Sequence, residues 1–134
     1  MNMAHKLPPP LDTFIIDVPA HTYYDFQLPV GNNYPLKGIT YPVDYGHIAG
    51  HTAEDGHELD LFVGMTLGGL SGYLIVNRGS DIPNEHKFYA ALTEEELSSI
   101  LTALGPVLIS NHHVEGMSEL LEFIAEYEDY RGNN

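Results

Sequence analysis

Two acids, Asp55 and Asp60, stand five residues apart in the stretch 41–63, with Asp55 followed directly by Gly56. Asp-Gly between two β-type runs is a strong signal for a tight hairpin. The run after it, Glu58-Leu59-Asp60-Leu61-Phe62-Val63, puts Leu59, Leu61 and Val63 on one face of a strand. Glu58, Asp60 and Phe62 fall on the other, because successive side chains alternate. Asp60 is therefore an acid within a strand, backed by a core-forming row, with Asp55 a turn away. Two carboxylates held on a hairpin can share a hard cation such as Mg²⁺ or Ca²⁺. A second polar stretch, 78–87, reads as a loop of turn residues carrying Asp81 and Glu85 with Arg78 and Lys87. A charged hairpin tip with no ligand is the plain alternative there. His47, His51, His57 and His86 lie near these acids in the chain, and imidazole suits transition metals. His112 and His113 read as a surface pair in a loop, since a metal site needs a third ligand.

Short strands must position these groups. Residues 13–18 read as a strand closed by Pro19, with Asp17 interrupting its apolar run. Asp17 reads first as a strand-end acid facing water, and alternatively as an acid lining a site. Further strands are expected at 23–28, 39–41, 72–77 and 88–92. The uncharged stretch 61–76 is broken by Gly64, Gly68, Gly69 and Gly72, and reads as two strands joined by a glycine-rich turn. Thr93 and Glu96 form a capping box. It opens a helix through Leu97, Ile100, Leu101 and Leu104 that stops at Gly105-Pro106. Ser118 caps a second helix, whose Leu120, Leu121, Ile124 and Tyr127 recur at three- and four-residue steps. The pattern predicts a mainly β protein with α (α+β). Its expected form is a small, mostly antiparallel, OB-like β-barrel flanked by two C-terminal helices. Residues 1–134 make one domain of this kind.

The formal charge is −14, with five Lys and Arg against nineteen Asp and Glu. That argues against nucleic-acid binding, which needs a basic face, and against anionic membranes. A polyanionic substrate would need metal ions to bridge it to the carboxylates. There is no cysteine, so thiol catalysis and thiolate metal sites are excluded. This fits a cytoplasmic protein. The first ten residues lack the apolar core of a signal peptide.

The stretch 41–63 resembles the signature of the family I soluble inorganic pyrophosphatases. Tyr41, Pro42, Tyr45, Gly46, Ile48, Thr52, Asp55, Gly56, Asp60 and Val63 fall where that signature places the same residue types. The resemblance implies the barrel fold, a homo-oligomer, and Mg²⁺-dependent hydrolysis of pyrophosphate to two phosphates. Mn²⁺ or another transition metal is a possible replacement for Mg²⁺. By the same resemblance Asp55, Asp60 and Glu85 build the central metal site, with Asp81 and Asp17 further out. Tyr45 and Tyr127 donate hydrogen bonds to phosphate, and Lys87 and Lys37 supply positive charge. For Lys37 a solvated surface lysine is an equal reading.

Three positions depart from the family pattern. His57 replaces an acid that orients the attacking nucleophile and takes its proton. Imidazole could act as the base, bind a softer ion, or point into solvent. Tyr23 and Glu128 replace lysines, while Asp25 keeps a family acid. The expectation is a slow pyrophosphatase, or one altered in substrate, with weakened pyrophosphate binding. The alternatives are a non-catalytic binding or assembly protein on the same fold, or a transition-metal binder.

Overall fold

The computed structural model describes residues 7–9, 11–52, 58–79 and 84–132, with the backbone alone at 51–52 and 127–132. The alternating runs form strands β1 (Phe14–Val18), β2 (Tyr23–Asp25), β3 (Gly38–Thr40), β4 (Asp44–Thr52), β5 (Glu58–Val63), β6 (Leu70–Val76) and β7 (Glu85–Leu92). Helix α1 (Glu94–Ala103), strand β8 (Leu108–Val114) and helix α2 (Met117–Gly132) complete the chain. The larger sheet has the order β1-β4-β5-β7-β6-β8, and β2-β3 form a separate pair. The β5-β7 ladder is parallel and the others are antiparallel. The fold is thus α+β and mostly strand, as expected. The sheet is open: β1 and β8 are its edges among the described residues, and no ladder joins them into a barrel.

The period-2 pattern of β5 sorts two cores onto opposite faces. Leu59, Leu61 and Val63 pack with Leu11, Ile48, Phe88, Leu120 and Ile124, so α2 covers that face. Phe62 packs with Tyr41, Tyr45, Tyr89, Leu97, Ile100 and Leu104, so α1 lies on the other. Leu59, Leu61 and Phe62 are fully buried, each burial worth about 1.5–3 kcal/mol. Asp60 sits between Leu59 and Leu61 but points to the α1 face. The capping box forms as the sequence predicts: Thr93 N–H donates to Glu96 Oε1 at 2.8 Å, and Glu96 N–H to Thr93 Oγ1 at 3.0 Å.

Gly46 explains part of the motif around it. It pairs with Ile16 of β1, and a Cβ there would lie 1.8 Å from the Ile15 carbonyl oxygen. Only glycine lets β1 approach β4 so closely. At the far end of β7, Ala91 has φ 62°, where the register with β6 shifts between Leu70 and Gly72. Two residues there oppose one, which defines a bulge.

Several boundaries differ from the sequence reading. Strand β2 ends at Asp25, short of the expected residue 28, and Ser118 lies within the first turn of α2 and not at its cap. Residues 85–87 belong to β7 and not to a loop, so Glu85 and Lys87 share a strand face. His112 and His113 lie in β8, where a loop was expected. Val107, Leu108, Ile109 and Val114 give that stretch β-forming residues around its polar centre, and pairing to β6 satisfies its backbone. No helix among the described residues is long and apolar enough to cross a membrane.

Candidate active site

Three adjacent strands bring one polar cluster together on the α1 face. In the β4-β5 ladder Tyr45 is opposite Phe62 and His47 opposite Asp60. In the parallel β5-β7 ladder Asp60 is level with Lys87. Glu85 precedes Lys87 by two residues and so shares its face.

The contacts are short. Tyr45 OH donates to Asp60 Oδ2 at 2.6 Å. The Lys87 ammonium donates to Tyr45 OH at 2.6 Å, to Asp60 Oδ2 at 3.0 Å and to Glu85 Oε1 at 2.9 Å. An ammonium has three protons, and each has an acceptor here. Arg78, just beyond β6, donates to Glu85 Oε2 at 3.0 Å. Lys87 also lies 4.9 Å from the centre of the Tyr45 ring. The Glu85 side chain is only 7% exposed and that of Lys87 11%, while Asp60 keeps 25%. Two acids and two bases balance the charge, which a site so removed from water requires.

Burial and charge act on these groups in different directions. Burial raises the Tyr45 hydroxyl well above its usual value, so it stays a neutral donor. Burial also raises the Asp60 carboxyl, but Lys87 and the hydrogen bonds it accepts outweigh that, and it is held below the usual range. Glu85 is raised, by burial and then by neighbouring Asp60, against the pull of Lys87. Burial disfavours the Lys87 ammonium, yet the surrounding oxygens of Tyr45, Asp60 and Glu85 overcome it and raise its pKa well above 10.5.

This cluster forms the floor of a cleft of about 640 Å³. Arg78, Asp60, Glu85 and Lys87 line its polar end, and Tyr24, Phe26, Leu28, Tyr34, Leu36 and Tyr41 line its apolar walls. Tyr34 OH donates to the Asn77 carbonyl at 2.5 Å, which fixes the segment before β3 across the cleft.

Tyr45, Asp60, Glu85 and Lys87 come together. Asp17 does not join them; its carboxylate accepts from His47 Nδ1 at 2.7 Å, while His47 Nε2 bonds Glu58 at 2.8 Å. The hydrogen bond to Asp17 raises the His47 pKa. Lys37 bonds the Asn32 carbonyl of its own loop at 3.1 Å and does not line the cleft. Asp25 accepts from Gln27 N–H in a local turn. Asp55, His57 and Asp81 lie outside the described residues, as do the side chains of Tyr127 and Glu128. Arg78 is the site residue that sequence reasoning left as a hairpin tip. The β6-β7 pairing, which sets Val76 opposite Glu85, carries Arg78 to that acid, and the sequence alone does not show it.

Magnesium sites commonly use one or two carboxylates completed by substrate phosphates. Asp60 and Glu85 are the two carboxylates that could take that role; both are paired here with the Lys87 ammonium, which a metal would have to displace. Among the described residues no three His, Asp or Glu side chains are grouped to hold a metal on their own. No protein-family model matches the chain, and no curated protein or solved structure matches it.

Proposed function

We propose that the chain is a divergent phosphoanhydride hydrolase. It takes pyrophosphate as its magnesium complex and hydrolyses it to two phosphates. The observation that carries this reading is the four-charge cluster at the floor of the cleft. Its acids and bases are paired with one another, so it is complementary to a ligand that brings both signs together. With such a ligand bound, Asp60 and Glu85 would hold its cation, and Lys87 and Arg78 would donate to phosphate oxygens. Free pyrophosphate offers nothing to the acids, and its charge is opposed by a chain of −14.

A divalent cation brought in with the substrate would be held by Asp60 and Glu85 and would supply charge neutralisation at the phosphate oxygens. Tyr45 remains a hydroxyl and donates a hydrogen bond where Asp60 now receives it. Water adds at one phosphorus, the bridging P–O bond breaks, and the oxygen leaves with the other phosphate. His57 is the residue we assign to the water's proton. The strand order β1-β4-β5-β7-β6, with its one parallel pair, supports an OB-like order of strands in a sheet that stays open, with β8 added at the β6 edge.

Phosphate release from pyrophosphate, measured with Mg²⁺, Mn²⁺ and Zn²⁺ in turn, tests the proposal. Turnover with Mg²⁺ that Asp60→Asn abolishes and His57→Asp raises is the expected result. Binding without turnover in any metal would favour the non-catalytic reading, which the internally paired cluster also suits. Response to Zn²⁺ alone would favour a transition-metal protein.

A further inference from the structure

The cleft is larger than its polar floor requires. Pyrophosphate is a small ligand, whereas about 640 Å³ lies within the roughly 300–1,000 Å³ of pockets that hold drug-sized molecules. The surplus is aromatic. Tyr24 of β2 meets Phe26 edge to face at 5.3 Å, and Phe26 lies 6.5 Å from Tyr34. Tyr34 lines the same cleft as Lys87, Arg78 and Glu85, and its hydroxyl donates to the carbonyl of Asn77, the residue before Arg78. The aromatic wall therefore continues into the polar cluster. Tyr24 is 40% exposed, while Phe26 and Tyr34 beside it are half-buried. A large ring left half open beside a charged floor is what a planar ligand group would cover.

We infer that the cleft accepts an organic phosphoanhydride with a planar heteroaromatic end, of the nucleoside diphosphate class. The phosphates lie on Lys87 and Arg78, and the ring lies against Tyr24 and Phe26. This rests on the proposed function for its chemistry. Water forms a P–O bond at the terminal phosphorus, and the bridging P–O bond breaks. Inorganic phosphate and the nucleoside monophosphate leave, and one proton passes to solvent. The negative charge of the chain opposes this substrate less than the free anion, because the bound cation cancels most of the phosphate charge. The reaction that supplies the site is then one that leaves a nucleoside diphosphate, such as phosphoryl transfer from a triphosphate.

The test uses the full chain with ADP and, separately, pyrophosphate, each with Mg²⁺. Two variants are compared with it: Tyr24→Ala, at a half-exposed position, and Phe26→Leu, which keeps an apolar side chain but removes the ring. ADP binding by calorimetry and phosphate release from both substrates are measured. Base stacking on an aromatic side chain predicts that each variant weakens ADP binding about 5- to 150-fold. The ratio of kcat/KM for ADP to that for pyrophosphate should fall by a similar factor. Pyrophosphate turnover with no ADP binding would overturn this inference and leave the proposed function standing. ADP binding that the variants weaken, with no turnover of either substrate, would uphold the ligand class and overturn the hydrolase reading. Equal ADP binding in all three proteins would overturn the aromatic site.

Discussion

Replacing Lys87 with Met tests whether the cluster exists in solution. The substitution keeps an unbranched side chain of similar length but removes the ammonium. Three hydrogen bonds go with it, to Tyr45, Asp60 and Glu85. Removing one member of a buried ion pair costs about 3–5 kcal/mol, because the partner is left buried and uncompensated. Two features of the site reduce this. Arg78 stays on Glu85, and Asp60 keeps the Tyr45 hydroxyl and a quarter of its surface in water. The expected loss is about 2–4 kcal/mol at neutral pH.

The pH dependence has a definite sign. In the wild type Asp60 is held below its usual pKa, so it contributes stability above that value, lost as pH falls through the folded pKa. Without the ammonium, Asp60 and Glu85 face each other and their folded pKa values rise. The penalty of keeping them ionised then vanishes as pH falls through those raised values. Urea denaturation at neutral pH and near pH 4.5 should show the difference between the proteins shrinking in acid. A loss below about 1 kcal/mol, or one equal at both pH values, would refute the buried cluster.

Other perturbations probe the scaffold. Gly46→Ala places a methyl against the Ile15 carbonyl and should destabilise by about 1–3 kcal/mol, seen as a lower denaturation midpoint with an unchanged slope. Thr93→Ala removes the side-chain half of the α1 capping box and should cost about 1 kcal/mol by the same measurement. His47 has its pKa raised by Asp17, so its stabilising contribution is full below the unfolded value near 6.5 and is lost as pH rises through the folded one. The stability difference between wild type and His47→Gln should therefore shrink above neutral pH. Asp17 and Glu58 are about half exposed, so that difference should stay under about 1 kcal/mol.

The local parts of this structure were legible in the sequence because each has a local cause. Alternation in 58–63 separates Leu59 and Leu61 from Asp60 and Phe62, and the two cores follow. Thr93 and Glu96 announce the start of α1. The site was legible only in pieces. Tyr45, Asp60, Glu85 and Lys87 could be named as candidates, but what binds them together is the parallel β5-β7 ladder, a pairing of segments distant in sequence. No local pattern states which strands become neighbours. The same ladder draws Lys87 between the two acids that were expected to hold a metal, and the hairpin geometry brings in Arg78. Strand β8 was missed because its apolar residues surround a polar Ser-Asn-His-His centre that reads as a loop until β6 is available to pair with it. The expected barrel failed to close for a related reason. Strand β8 takes the free edge of β6, and β1 is left as the other edge of the sheet.

The central claim is that the paired charges of the cluster are exchanged for a ligand bearing both signs. Calorimetric titration of the wild type with Mg²⁺ alone, with pyrophosphate alone, and with the two together tests it most directly. Strong binding is expected only when both are present, and it should be lost in Lys87→Met. Equal binding of pyrophosphate with and without Mg²⁺, or no binding of the complex, would contradict it.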